Sequence, residues 1–148
     1  MATEAMLRED LQAAMKARDM PTVYVLRGLL AAIANLRIER GVAELNDAEI
    51  VALTQRETKQ REEAESYART AGREDLVAQN AAERAILMRY LPAQLDDAEL
   101  TNLVRSWLAD GLNAMGPIMA RLKERHAGQY DGRRAAEIVR SILAASNG

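Results

Sequence analysis

The sequence predicts an all-α fold in two helical subdomains, and three observations carry that expectation. Apolar residues recur at the i, i+3, i+4, i+7 spacing of a helix through most of the chain, and no stretch sustains the alternation of a half-buried strand. Cap residues punctuate those segments at regular intervals. A proline, Pro92, closes one helix just before a new cap at Asp96, which divides an N-terminal four-helix unit with one long helix (residues 1–92) from a C-terminal three-helix unit (residues 96–148). No Gly/Ser-rich linker or low-complexity segment separates them, so a tight connection over residues 92–95 is expected.

From Thr3 to Arg18, Leu7, Leu11, Ala14 and Met15 place an apolar stripe on a first helix. Asp19-Met20-Pro21 breaks it, and Pro21 or Thr22 opens a second. That helix carries Val23, Leu26, Leu29, Leu30, Ile33 and Leu36, a stripe wide enough to be buried from two sides, and ends on Arg40-Gly41, a basic last turn and a C′ glycine. Gly28 in its interior costs about 1 kcal/mol against alanine, so it is expected to mark a close helix contact. Asn46-Asp47-Ala48-Glu49 reads as a capping box flanked by a Leu45/Ile50 staple. The long third helix it opens runs to about Ala71; its middle, Arg56 to Glu65, is polar on every side and predicts a solvated arm held by Glu57–Arg61 and Glu65–Arg69 pairs. Gly72 supplies the left-handed stop. Glu74 and Asp75 favour the positive end of a fourth helix, which reaches Tyr90 and brings Leu76, Val77, Ala81, Leu87 and Met88 toward the first two.

After Pro92, Leu95-Asp96-Asp97-Ala98-Glu99-Leu100 repeats the cap chemistry of the third helix without repeating its sequence further. The fifth helix, to Asp110, turns Leu100, Leu103, Val104, Trp107 and Leu108 inward and stops at Gly111. Met115, Ile118, Met119 and Leu122 define a sixth with Gly116-Pro117 in its first turn, and Asp131 caps a seventh carrying Ala135, Ile138, Val139, Ile142 and Leu143.

Composition narrows the function classes. A chain of 148 residues with no cysteine and one histidine has no disulfide framework, thiolate metal site or histidine cluster, so no metal or cofactor is expected. No signal segment is legible and no apolar run approaches the ~20 residues of a membrane span, which points to a cytoplasmic protein without membrane contact. The net charge of −2, from 20 basic and 22 acidic residues, gives no global field for nucleic acid, and no DNA binding is expected. Charge is nonetheless polarised. One base against four acids lies between Asp96 and Asp110, and six bases against three acids between Gly111 and Gly148.

No catalytic constellation stands out. His126 has no Cys or Ser neighbour to activate and reads as a loop histidine in an exposed basic segment; Glu62-Glu63 and Asp96-Asp97 are sequence neighbours that point apart or sit in a cap; the glycines punctuate helices and form no phosphate loop. The candidate site is the turn between the last two helices, where Arg121, Lys123, Arg125 and His126 precede Asp131-Gly132 and Arg133-Arg134 follow. Cations on both flanks and free amides at a helix start suit a phosphate backbone, and Tyr130 suits base stacking. Asp131 opposes this, since its carboxylate takes the anion position. The residues leave two readings open, a solvated basic loop and a nucleic-acid surface.

An ordered set of residues also resembles a known family. Asp10, Ala14-Met15-Lys16, Leu26-Arg27, Lys59 and Arg61, Gly72-Arg73-x-Asp75-Leu76, Glu83, Tyr90-Leu91-Pro92-x-Gln94-Leu95, Met115-Gly116-x-x-Met119 and Asp131-Gly132 resemble the GatB/YqeY family, covering nearly the whole chain. These are small YqeY-like proteins related to the tail of the B subunit of the tRNA-dependent amidotransferase. The resemblance implies a non-catalytic tRNA-binding or adaptor module, with tRNA as partner. The alternatives are an interaction module recruiting an aminoacyl-tRNA synthetase or amidotransferase, and an amidotransferase-type carbon–nitrogen ligase, for which no nucleophile is present. The chain departs from the family pattern at Gly128-Gln129-Tyr130, where a basic run ahead of Asp-Gly has lost its charge and Arg133-Arg134 partly restores it.

Overall fold

The computed structural model describes residues 2–147. Among these, α1 (Glu4–Ala17), α2 (Met20–Arg40), α3 (Asp47–Thr70), α4 (Glu74–Met88), α5 (Asp97–Ala109), α6 (Met115–Arg125) and α7 (Gly132–Ser146) are α-helices and no residue is in a strand. The chain divides into two compact units between Leu91 and Pro92.

In the first unit α2 is the central element. Its Val25, Leu26, Leu29, Leu30 and Ile33 meet Leu7 of α1, Leu45 and Ile50 around the start of α3, and Ile86 and Leu87 of α4 in one buried cluster. Each fully buried side chain of this size contributes about 1.5–3 kcal/mol. Local chemistry sets the entry points. Asp19 caps α2 by accepting from Thr22 N at 3.4 Å and Thr22 Oγ1 at 2.6 Å. Asn46 accepts from Glu49 N at 2.8 Å while Glu49 accepts from Asn46 N at 3.2 Å, the reciprocal box the sequence predicts. Gly72 stops α3 in the left-handed region at φ 70°.

Several expectations need correction. Met15 lies outside the α1 stripe, 48% exposed, because Leu7 and Ala14 already face α2. Helix α4 ends at Met88 on the turn Tyr90 N to Leu87 O, before Pro92 can act on it, and Ile86 rather than Met88 joins Leu87 in the core. Gly28 is exposed, and a Cβ there would meet nothing within 4 Å, so it marks no close contact inside this chain.

The solvated arm is the largest correction. Helix α3 packs along the length of α4 and buries Thr54, Thr58 and Ala68. The two hydroxyls donate to Ile50 O and Thr54 O at 2.8 Å each, which satisfies them within the helix and leaves their methyl groups for packing. Glu57–Arg61 (2.6 Å) and Glu65–Arg69 (3.1 Å) pair as expected. Glu65, its side chain 12% exposed, also meets Arg84 of α4 at 3.1 Å, and Arg84 reaches Glu62 at 3.8 Å. The polar stretch is thus a charged seam between two helices.

The second unit closes on Leu100, Val104 and Trp107 of α5, Ile118 and Leu122 of α6, and Ala135, Ile138 and Val139 of α7. Asp96 caps α5 by accepting from Glu99 N at 2.7 Å. Asp131 caps α7 by accepting from Arg134 N at 3.3 Å.

Candidate nucleic-acid interface at the bend between the last two helices

The bend from Arg125 to Gly132 is tied to the segment that opens the second unit. Leu95 N donates to Gln129 O at 2.7 Å, Gln94 Nε2 donates to Gly128 O at 2.7 Å, and Gln129 Nε2 donates to Ala93 O at 3.0 Å. The last bond orients the Gln129 amide, so its Oε1 faces His126 Nδ1 at 3.0 Å and accepts from an Nδ1–H. His126 is therefore a half-buried cap of α6, contrary to the exposed loop position expected, and its ring lies 6.3 Å from that of Trp107 at a 42° tilt. Gly128-Gln129-Tyr130 carries no charge because each member serves the fold. Gly128 takes φ 78°, Gln129 makes the clamp, and Tyr130 is half-buried against the core, which raises its hydroxyl pKa by desolvation.

The six candidate residues separate into two groups. Arg134 is bound at the surface: Nη2 reaches Asp97 Oδ2 at 2.7 Å, Nε lies 3.2 Å from both Asp97 oxygens, and Nη1 reaches Glu137 at 3.0 Å. The guanidinium holds the Asp97 carboxyl below the usual carboxylate range, and the two acids hold Arg134 charged. Arg121 lies over the Trp107 ring at 5.5 Å, a cation–π contact covering the core. His126 is engaged as above. Lys123, Arg125 and Arg133 are exposed and form no ion pair among the described residues. Arg140, seven residues beyond Arg133 on α7, shares its face and is also exposed; that spacing was readable in the sequence and was not singled out.

A second concavity lies in the first unit, an open groove of about 480 Å³ between α1, the start of α2 and the end of α4. Tyr90 donates to Asp10 Oδ2 at 2.7 Å on its wall. Burial, with Asp10 as hydrogen-bond acceptor and nearby negative charge, pushes the Tyr90 hydroxyl pKa well up. The Tyr90 proton is thus held, and Asp19 on the rim is occupied in capping α2, so the groove converges no reactive pair. Among the described residues no group of three or more His, Asp or Glu is placed to hold a metal ion, and no helix is long and apolar enough to cross a membrane.

Several of the resemblance residues make long-range ties in this chain: Asp10 with Tyr90, and Gln94 and Leu95 with the bend. No curated protein matches the chain. The family model described as Yqey-like protein matches residues 4–143, from the first residue of α1 into α7, and the chain belongs to that family.

Proposed function

We propose that this chain is a non-catalytic RNA-docking protein, related in role to the tail of the tRNA-dependent amidotransferase, whose C-terminal unit binds tRNA through Lys123, Arg125 and Arg133. One observation carries the reading. At the bend and on its two flanks, where Arg121, His126, Gln129 and Arg134 are engaged by the fold, these three cations are exposed and without acidic partners among the described residues. Arg140 extends the surface along α7. Cations so placed contact phosphates and release counterions, while Arg134, neutralised by Asp97 and Glu137, orients the helix and adds little field.

Titration of the full chain with bulk tRNA by fluorescence anisotropy at several salt concentrations tests this. Three phosphate contacts predict a log–log slope of about −2 to −3. Reversing Lys123, Arg125 and Arg133 to Glu abolishes binding, whereas Arg134→Gln leaves the slope nearly unchanged. No binding at low salt refutes the reading. The small number of free cations favours a second one, an adaptor that recruits a synthetase or amidotransferase, and retention of such a protein partner without RNA supports it.

A further inference from the structure

We propose that the exposed face of α2 is the contact surface of a homodimer, with a two-fold axis at Ala31. At about 100° per residue, Met20, Tyr24, Arg27, Ala31 and Ile38 fall within roughly 60° of one another, on the side of α2 opposite its core residues. All five are exposed, Tyr24 by 62% and Ile38 by 80%. Val42, just past the Gly41 cap, continues the strip. Within the helix the strip is symmetric about its centre, because Tyr24 and Ile38 each lie seven residues from Ala31. An antiparallel copy of α2 therefore sets Tyr24 of one protomer near Ile38 of the other and the reverse, the i-to-j and j-to-i pattern of an isologous interface.

The centre of the strip is small, with Gly28 beside Ala31. A Cβ at Gly28 meets nothing within 4 Å in this chain, so internal packing does not require glycine there. A second backbone approaching closely does. Arg27 is the one charge in the arc, and with the axis at Ala31 its two copies lie about 12 Å apart along the helix direction, beyond the ~8 Å Debye length at physiological salt.

The area suits a second copy. Taking about 150–250 Å² for a large side chain, Met20, Tyr24, Ile38 and Val42 at their exposures offer roughly 340–570 Å² per protomer, so that with Arg27 added two copies bury on the order of 1,000 Å², the size of a weak, reversible interface. A contact of this size is of the weak, transient class, with association expected at micromolar concentrations or above.

Sedimentation velocity on the full chain from about 1 μM to about 500 μM brackets that range. The expected result is a monomer that becomes a dimer with concentration, and an Ile38→Glu variant with unchanged circular dichroism whose association is weaker by at least about tenfold. The chain has no cysteine, so Ala31→Cys gives a second readout: a residue on a two-fold axis meets its own copy, and mild oxidation cross-links this variant faster than the exposed Ser141→Cys. A chain that stays monomeric throughout overturns the proposal. A dimer indifferent to Ile38→Glu, or equal cross-linking of the two cysteine variants, also overturns it.

Discussion

The two units use charge in different ways. In the first, beside the apolar cluster around α2, Arg84 of α4 binds Glu65 and Glu62 of α3, and Arg40 of α2 binds Glu49 of α3, so charged side chains help to join helices, while Glu57–Arg61 and Glu65–Arg69 pair within α3. In the second, a cluster of aliphatic side chains around Trp107 holds three short helices, one arginine, Arg134, ties α7 to Asp97 of α5, and Lys123, Arg125 and Arg133 are left outside. A charge taken up in a helix–helix seam is unavailable to a ligand, whereas one excluded from an apolar core remains available. The functional reading accordingly falls on the smaller unit even though the larger one holds more charged residues.

Three changes sharpen or break this contrast, from the largest expected effect to the smallest. Ile118→Ala removes a fully buried side chain from the second unit and should cost about 2–5 kcal/mol. Thermal unfolding followed by Trp107 fluorescence reads it; a loss below 1 kcal/mol would mean that the second unit is not held by its apolar cluster. Glu65→Ala removes the acid shared by Arg69 and Arg84 and should cost about 1–2 kcal/mol, measured by urea denaturation. High salt should shrink that difference only partly, since the Glu65 side chain is largely shielded, and a neutral effect would return α3 to the solvated arm its sequence suggests.

Tyr90→Phe has the smallest effect at neutral pH, about 1 kcal/mol for one hydrogen bond to a carboxylate. Its sign is clear on the alkaline side. Burial and Asp10 raise the Tyr90 pKa above the ordinary 10.0, so the neutral form is favoured in the folded state. That stabilisation is fully present below pH 10 and is lost only as pH climbs through the raised value. The wild type should show a late tyrosinate absorbance phase from Tyr90 and Tyr130, and Tyr90→Phe should lose the Tyr90 share of it, with the loss of stability coupled to that share, while Tyr130 still titrates late. An unchanged titration would mean that the Asp10–Tyr90 tie does not form in solution.

Much of the fold was readable from local chemistry. The reciprocal Asn46/Glu49 box, the Asp131 cap, the left-handed Gly72 and the inward stripes of α2, α5 and α7 were all expected, and all are present. The misreadings have one physical origin. Periodicity counts Thr54, Thr58 and Arg84 as polar, but it does not register that a threonine hydroxyl can bond its own helix and expose a methyl, or that an arginine can find a glutamate on the next helix. The candidate site was legible as a cluster of cations. Which of them were free was not, because Arg134 finds Asp97 across 37 positions and Gln129 finds Ala93 across 36.

The order of residues alone determined where helices begin and end and which side of most of them turns inward, since caps and stripes act over a few residues. Tertiary structure decided which charges are neutralised, which polar side chains clamp the bend, and that Gly28 and Ile38 face outward. Those outcomes depend on distances between segments far apart in the chain, and such distances exist only once the helices have packed.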